Sequence, residues 1–186
     1  MTLCDGRGRD YACVVVSCRE DGALVQVEGS SPSAGEPETR ITVCQCLAKG
    51  DKLETVTQKA VELGAAEIRL VESARCVVRL DGKAREKKTA RLQKIAREAA
   101  MQSGRGIIPQ VLAPAALEQV LKTAAAKGEI LFFYEEGRAS LKEALRQAGQ
   151  RLFVFVGPEG GFPPEEAALA QSLGGRLLTL GPRNLR

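Results

Sequence analysis

Hydrophobic and polar positions repeat with two different periods along this chain. Tyr11–Cys18 and Ala23–Glu28 are β-rich runs between the turn dipeptides Asp5-Gly6 and Asp21-Gly22, so residues 1–28 read as short strands and turns. Ser30–Glu38 (SSPSAGEPE) reads as a linker, because Ser, Pro and Gly favour turns and have little to bury. From Arg40 onward strands and helices alternate. Ile41–Leu47 reads as a strand, and Asp51–Leu63 as a helix with Leu53, Val56, Ala60 and Leu63 on one face and Gly64 as its stop. Glu67–Val71 is the next strand. A helix over about 84–103 comes after it, with an apolar stripe of Leu92, Ile95, Ala96, Ala99 and Ala100.

The second half continues the pattern. Ala115–Ala126 reads as a helix, Ile130–Tyr134 as a strand, and Ser140–Gln147 as a helix whose Ser140-Leu141-Lys142-Glu143 start has capping-box spacing. Leu152–Val156 is a buried strand, Pro164–Leu173 a helix stopped by Gly174-Gly175, and Leu177–Leu180 a last strand. Strands separated by helices of this length pair in parallel, which predicts an α/β sheet from about residue 40 behind a small β-rich piece.

Composition narrows the chemistry. The 186 residues are 44% hydrophobic and 27% charged, an ordinary globular balance. The longest apolar stretch, Leu152–Gly157, is far short of the roughly 20 residues a bilayer needs, and no basic segment followed by an apolar core opens the chain. There is no histidine. That excludes a Ser-His-Asp triad, a Cys-His pair and a histidine zinc site. The six cysteines contain no Cys-x-x-Cys pair, and Cys44 and Cys46 have the spacing of buried strand positions, so free thiols and no metal are expected.

Charge is concentrated. The net charge is +4, yet segment 83–105 alone carries eight basic residues (Lys83, Arg85, Lys87, Lys88, Arg91, Lys94, Arg97, Arg105) against Glu86 and Glu98. That segment sums to +6 and leaves −2 for the rest of the chain. A cationic helix face suits a polyanion such as nucleic acid, and it equally suits plain solvation.

Ligands in open α/β sheets sit at the carboxyl ends of strands. Tyr134-Glu135-Glu136-Gly137, Gly157-Pro158-Glu159-Gly160-Gly161-Phe162 and Leu180–Arg186 follow such strands. The middle loop has neither the G-x-G-x-x-G register nor a Gly-Lys-Ser/Thr, and Glu159 would repel phosphate. It fits a cationic or hydrogen-bond-rich ligand, or serves as a tight strand-to-helix turn.

Several segments together resemble the RsmE-type ribosomal RNA methyltransferases, members of the knotted SPOUT superfamily that methylate a 16S rRNA uridine at ring nitrogen 3. They are Lys49–Gly64 (KGDKLETVTQKAVELG), Glu72–Arg75 (ESAR), Arg97–Arg105 (REAAMQSGR), Ile108-Pro109, Val156–Phe162 (VGPEGGF) and Leu180–Arg183 (LGPR), in family order. The resemblance implies a SPOUT-type trefoil-knotted parallel sheet over 39–186, preceded over 1–38 by a partial PUA-like RNA-binding β domain and linker. It implies S-adenosylmethionine in the knot loops, held by Tyr134, Glu135, Gly157, Pro158, Glu159, Gly160, Gly161, Leu180, Gly181, Pro182, Arg183 and Leu185, with the Glu159 carboxylate compatible with a sulfonium.

By the same resemblance Arg75, Arg91, Arg97, Gln102, Ser103 and Arg105 meet the RNA, and Arg105 or Arg183 stabilises the uridine anion. The resemblance further implies 16S rRNA within the small subunit as the partner, and a cytoplasmic homodimer with neither membrane nor metal. Family members carry more residues at both ends, and Asn184 replaces an aliphatic residue, so an incomplete N-terminal barrel is expected. A catalytically silent RNA-binding relative and a small-molecule α/β enzyme are the rival readings.

Overall fold

The computed structural model describes residues 1–181. Arg9–Arg19 (β2) and Gly22–Pro32 (β3) form a long antiparallel hairpin, and Thr2–Cys4 (β1) adds to the free side of β2. This three-stranded sheet is open, and Val14, Val15, Val16, Leu24 and Val27 stay exposed on it. The linker expected at Ser30 starts later. Ser30, Ser31 and Pro32 pair with Tyr11, Asp10 and Arg9, so the end of the hairpin uses polar residues whose composition suggests a linker. Gly8 N–H donates to Gly106 O (2.8 Å) and Ile108 N–H to Gly6 O (3.2 Å), which stitches this sheet to the rest of the molecule.

The second sheet has seven strands, all parallel, in the order β6-β5-β4-β9-β7-β10-β8. Its strands are Arg40–Cys46 (β4), Glu67–Glu72 (β5), Gln110–Ala116 (β6), Glu129–Phe133 (β7), Ala139–Ser140 (β8), Arg151–Val156 (β9) and Arg176–Thr179 (β10). The helices are Lys52–Glu62 (α1), Gly82–Gln102 (α2), Leu117–Ala125 (α3), Leu141–Arg146 (α4) and Pro164–Ser172 (α5). Central β4 is covered on both faces, so Cys44, Gln45, Cys46 and Leu47 are all buried, as parallel strands in α/β sheets require. Burial pushes the Cys44 thiol up, which keeps it protonated. All six cysteines are free.

Local expectations fail in a few places. The hydrophobic pattern does not predict β6. Its run is broken by Pro114, which the sheet tolerates because β6 is an edge strand with a register shift between Arg69 and Val71 of its neighbour. α2 starts at Gly82, capped by Asp81, whose carboxylate accepts from Ala84 N–H (2.8 Å). Ser140 sits at the N-cap of α4, but its side chain makes no cap bond, so the capping box does not form. On α1 the inward face is Leu53, Thr57 and Val61, while Leu63 lies past the helix and is 84% exposed.

One connection runs over a neighbouring strand. Because β10 lies between β7 and β8, residues 134–138 must pass across β10. Tyr134 N–H donates to Leu178 O (2.9 Å), and a Cβ on Gly137 would lie 2.7 Å from the Leu178 carbonyl group. Only a residue without a side chain fits that crossing.

Candidate active site

Strands β9, β7 and β10 are consecutive in the sheet and parallel, so the loops at their carboxyl ends converge on one edge. These are the loops that sequence singled out at 157–162, 134–137 and 180–186, the last described as far as Gly181. In the first, Gly161 N–H donates to Pro158 O (2.9 Å), and Gly161 adopts φ +65°, a conformation suited to glycine. Phe162 anchors the loop's far end. It is buried, with its ring 4.2 Å from that of Phe132 on β7. Two side chains from neighbouring strand ends hold the loop's backbone: Arg75 Nη1 donates to Gly160 O (2.9 Å), and the Gln45 amide to Gly157 O (3.5 Å).

Glu159 is turned away from the sulfonium role that the resemblance suggested. Its carboxylate accepts from Lys49 N–H (3.2 Å) and Lys52 Nζ (3.1 Å), tying the loop to the start of α1. Its own N–H, then Lys52 and Lys49, hold that carboxyl below the usual range, so it is ionised and already partnered. In the second loop Tyr134 is half-buried, with Glu135 exposed beside it. Burial, then Glu136 and Glu135, push the Tyr134 phenol up, so it stays protonated. In the third, Leu180 is 56% exposed, and Gly181 N–H donates to Thr179 Oγ1 (3.2 Å). Pro182, Arg183 and Leu185 lie outside the described residues.

The basic helix is largely neutralised from within. Arg85 pairs with Glu72 of β5 (2.7 Å), Lys88 and Arg91 both pair with Glu54 of α1 (3.3 and 2.8 Å), and Lys94 approaches Glu98 (3.8 Å). Lys83, Lys87 and Arg97 are exposed and have no ion-pair partner among the described residues. Gln102 is exposed, and the Ser103 hydroxyl donates to Ala99 O (2.7 Å) within its own helix. Arg91, expected on RNA, is thus held by a carboxylate, and Arg75, expected there too, braces the glycine loop.

Arg105 departs furthest from expectation. Its side chain is 4% exposed. The guanidinium pairs with the Glu36 carboxylate and donates to the carbonyls of Val61 (3.2 Å) and Ala65 at the end of α1. Glu36 also accepts from Ile107 N–H (3.0 Å). Four of the five N–H groups of the fork are engaged, so Arg105 joins α1, the end of α2 and the connection from the first sheet. With its side chain 4% exposed, this geometry favours a structural role over the anion stabilisation and RNA contact expected of it.

Comparison with known proteins agrees with this layout. A family model described as an RNA methyltransferase domain matches residues 35–186. The ribosomal RNA small subunit methyltransferase E of Mycobacterium tuberculosis is 35% identical over 193 residues, covering 100% of this chain and 72% of its own. That of Bacillus subtilis is 34% identical over 190 residues, covering 98% and 74%. The crystal structure of ribosomal RNA small subunit methyltransferase E from Neisseria gonorrhoeae, bound to S-adenosyl methionine, superposes with a TM-score of 0.88 at 31% identity, covering 100% of this chain and 76% of its own. A methyltransferase of Legionella pneumophila, also with S-adenosylmethionine, has a TM-score of 0.86 at 30% identity, with the same coverage. This chain belongs to the ribosomal RNA small subunit methyltransferase E family.

As a family member the chain has a place for S-adenosylmethionine, and its residues fit that ligand. Among the described residues, a Cβ added at Gly161 or Gly181 would meet nothing within 4 Å, so there is room for a ligand beside both turns. Leu180 and Val156 leave apolar surface exposed on the same strand ends, as a flat adenine requires. No cluster of potential metal ligands occurs among the described residues. Sequence reasoning missed Lys49, Lys52, Gln45 and Glu166. Glu166, in the first turn of α5, accepts from Ala74 N–H (2.7 Å) and so positions the segment that carries Arg75. The lysines lay in a matched family segment, but nothing in their spacing pointed to Glu159, more than a hundred residues later in the chain.

Proposed function

We propose that this protein transfers a methyl group from S-adenosylmethionine to ring nitrogen 3 of one uridine in 16S rRNA, acting on the small ribosomal subunit. The observation that carries the reading is the convergence of the 157–161, 134–138 and 180–181 loops at the carboxyl ends of adjacent parallel strands, with Arg75 and Gln45 bracing the first. Gly157, Pro158, Gly160, Gly161, Leu180 and Gly181, with Pro182, Arg183 and Leu185 beyond them and Tyr134 and Glu135 beside them, hold the cofactor. Glu159 serves by fixing the loop to α1.

When bound, S-adenosylmethionine supplies a methyl group already activated on a positively charged sulfur. Ring nitrogen 3 of uridine carries a proton and is a weak nucleophile until that proton is lost to solvent. The protein's task is therefore to place the base in line and to stabilise its anion. With Arg105 committed elsewhere, we assign the stabilising charge to Arg183. Lys83, Lys87 and Arg97 contact RNA phosphates, which position the substrate without reading its sequence.

The same reading includes a trefoil knot, supported by the passage of residues 134–138 across β10. It also includes a PUA-like module over 1–38 ahead of the methyltransferase domain over 39–186, assembly as a homodimer, and work in the cytoplasm. Mass spectrometry of 16S rRNA from a strain lacking the gene tests the activity. Loss of 3-methyluridine, restored by the wild-type gene, is expected. An unchanged 3-methyluridine level sinks the assignment. Calorimetry of S-adenosylmethionine binding tests the site separately, since a silent RNA-binding relative would show no heat.

A further inference from the structure

A cleft of about 500 Å³ runs between α1 and α2, outside the loops assigned to the cofactor. Asp51 and Thr55 line it from α1, and Ile95, Glu98 and Gln102 from α2. Asp51, one of its lining residues, directly precedes Lys52, whose ammonium holds Glu159 of the glycine loop.

The polar groups in the cleft differ in how far they are satisfied. Glu54 on one wall is neutralised by Lys88 and Arg91. Asp51 makes no side-chain cap bond, Glu98 has only the 3.8 Å approach of Lys94, and the Gln102 side chain has no hydrogen-bond partner among the described residues. Two carboxylates facing one cavity repel phosphate and attract N–H donors. Ile95 and Ala99, which also line the cleft, offer an apolar surface on which a flat ring can lie. The free cations Lys87 and Arg97 lie on the same helix but do not line the cleft. Arg91 lines the cleft too, but its guanidinium is engaged by Glu54 (2.8 Å). The less engaged charges are thus Lys87 and Arg97 outside and Asp51 and Glu98 within, which separates the charge of a nucleotide's phosphate from the donors of its base.

We propose that the α1/α2 cleft takes an amino-bearing nucleobase (guanine, cytosine or adenine) from a nucleotide flanking the target uridine, with Asp51 and Glu98 accepting from its amino group and Gln102 completing the edge. Uracil has no exocyclic amino group and offers the carboxylates only its ring N–H between two carbonyl oxygens, so the target base itself binds this site more weakly. Acidic side chains accept from base amino groups in just this way in groove readout. The inference rests on the reading of RNA as the substrate, and it adds a second base-reading site, distinct from the reacting one.

Methyl-labelled NMR of the full chain, following Ile95 during titration with guanosine, cytidine or uridine, tests the site directly. Guanosine or cytidine should shift Ile95, with uridine about tenfold weaker, and Glu98→Gln should erase most of that difference. Glu98 is exposed and barely paired, so the variant should fold. In methyl transfer to small subunits, Glu98→Gln should raise KM about tenfold with kcat nearly kept. Uridine binding as well as guanosine and cytidine, no shift of Ile95 with any nucleoside, or an unchanged KM overturns the proposal while leaving the methyltransferase reading intact. A wild-type protein that transfers no methyl group to subunits overturns that reading, and with it the assignment of the cleft to RNA.

Discussion

Replacing Arg105 by Ala separates the two roles that sequence and structure give this residue. The substitution removes a guanidinium that is 4% exposed and pairs with a Glu36 carboxylate 18% exposed. It strands that carboxylate, and it leaves the carbonyls of Val61 and Ala65 at the end of α1 without their donor. Breaking a buried ion pair from one side costs about 3–5 kcal/mol, because the remaining charge stays in a poorly solvated place. The small cavity of about 60 Å³ beside Glu36, Pro37 and Gly64 gives water limited room to relieve it. With a urea m value of about 2 kcal/mol per molar, the unfolding midpoint should fall by about 2 M. Arg105→Lys, which keeps a charge but loses the fork, should fall between the wild type and Ala.

The pH dependence supplies a second readout of the same pair. Burial pushes the Glu36 carboxyl up, but the Arg105 guanidinium and the Ile107 N–H outweigh it, so the group ends below its ordinary 4.5. A carboxyl depressed in the folded state contributes stability that is complete above pH 4.5 and lost as pH falls through the folded value. The stability gap between wild type and Glu36→Gln should therefore be full at neutral pH and shrink under acid. An Arg105→Ala protein that unfolds at the wild-type midpoint yet has lost turnover would refute the structural role and restore the catalytic one.

The remaining predictions concern the loops and the helix. Arg75→Ala removes one charge-assisted bond to Gly160 O at an exposed position, so S-adenosylmethionine Kd should rise about fivefold in calorimetry with the unfolding midpoint unmoved. Gly137→Ala sets a methyl group 2.7 Å from the Leu178 carbonyl and 2.9 Å from Tyr134 O, both backbone, so the crossing must open. Its urea midpoint should drop by the equivalent of about 1–3 kcal/mol. Lys87→Ala and Arg97→Ala should each lower the salt dependence of rRNA binding by about one unit of slope, with no loss of stability. Arg85→Ala, which breaks the pair with Glu72, should lower stability instead.

How much of the chain is legible depends on how local each signal is. Strands covered on both faces appear as runs rich in apolar residues, so Leu152–Val156, unbroken, and Ile41–Leu47, interrupted only by Thr42 and Gln45, are readable. The helices are readable from their stripes and glycine stops. β6 is not, because Pro114 interrupts a short run that an edge strand can still accommodate. The linker expectation fails at Ser30–Pro32 because a polar segment can be a strand where its partner, Arg9–Tyr11, is polar too. Charge is the least legible signal, because it is cancelled at a distance. The +6 of segment 83–105 looks like an outward field, yet its partners Glu36, Glu54 and Glu72 come from a connection, a helix and a strand that only the fold brings near.

Glu159 shows the same effect with the opposite sign. In sequence it is a bare carboxylate in a glycine loop and reads as a group waiting for a cation. In the fold, β4 lies beside β9, so the residues after β4, Lys49 and Lys52, are the cations it meets. A charge therefore has functional meaning only after its partners within the fold have been subtracted. Once they are subtracted, the weakly partnered charges on the α1/α2 helix pair include Lys83, Lys87 and Arg97 outside, and in the cleft Asp51 and Glu98, the latter approached only by Lys94 at 3.8 Å. Those two sets carry opposite charge on adjoining surfaces of the same helix pair, the arrangement that an RNA strand needs if its phosphates are held at the rim while one base is read within.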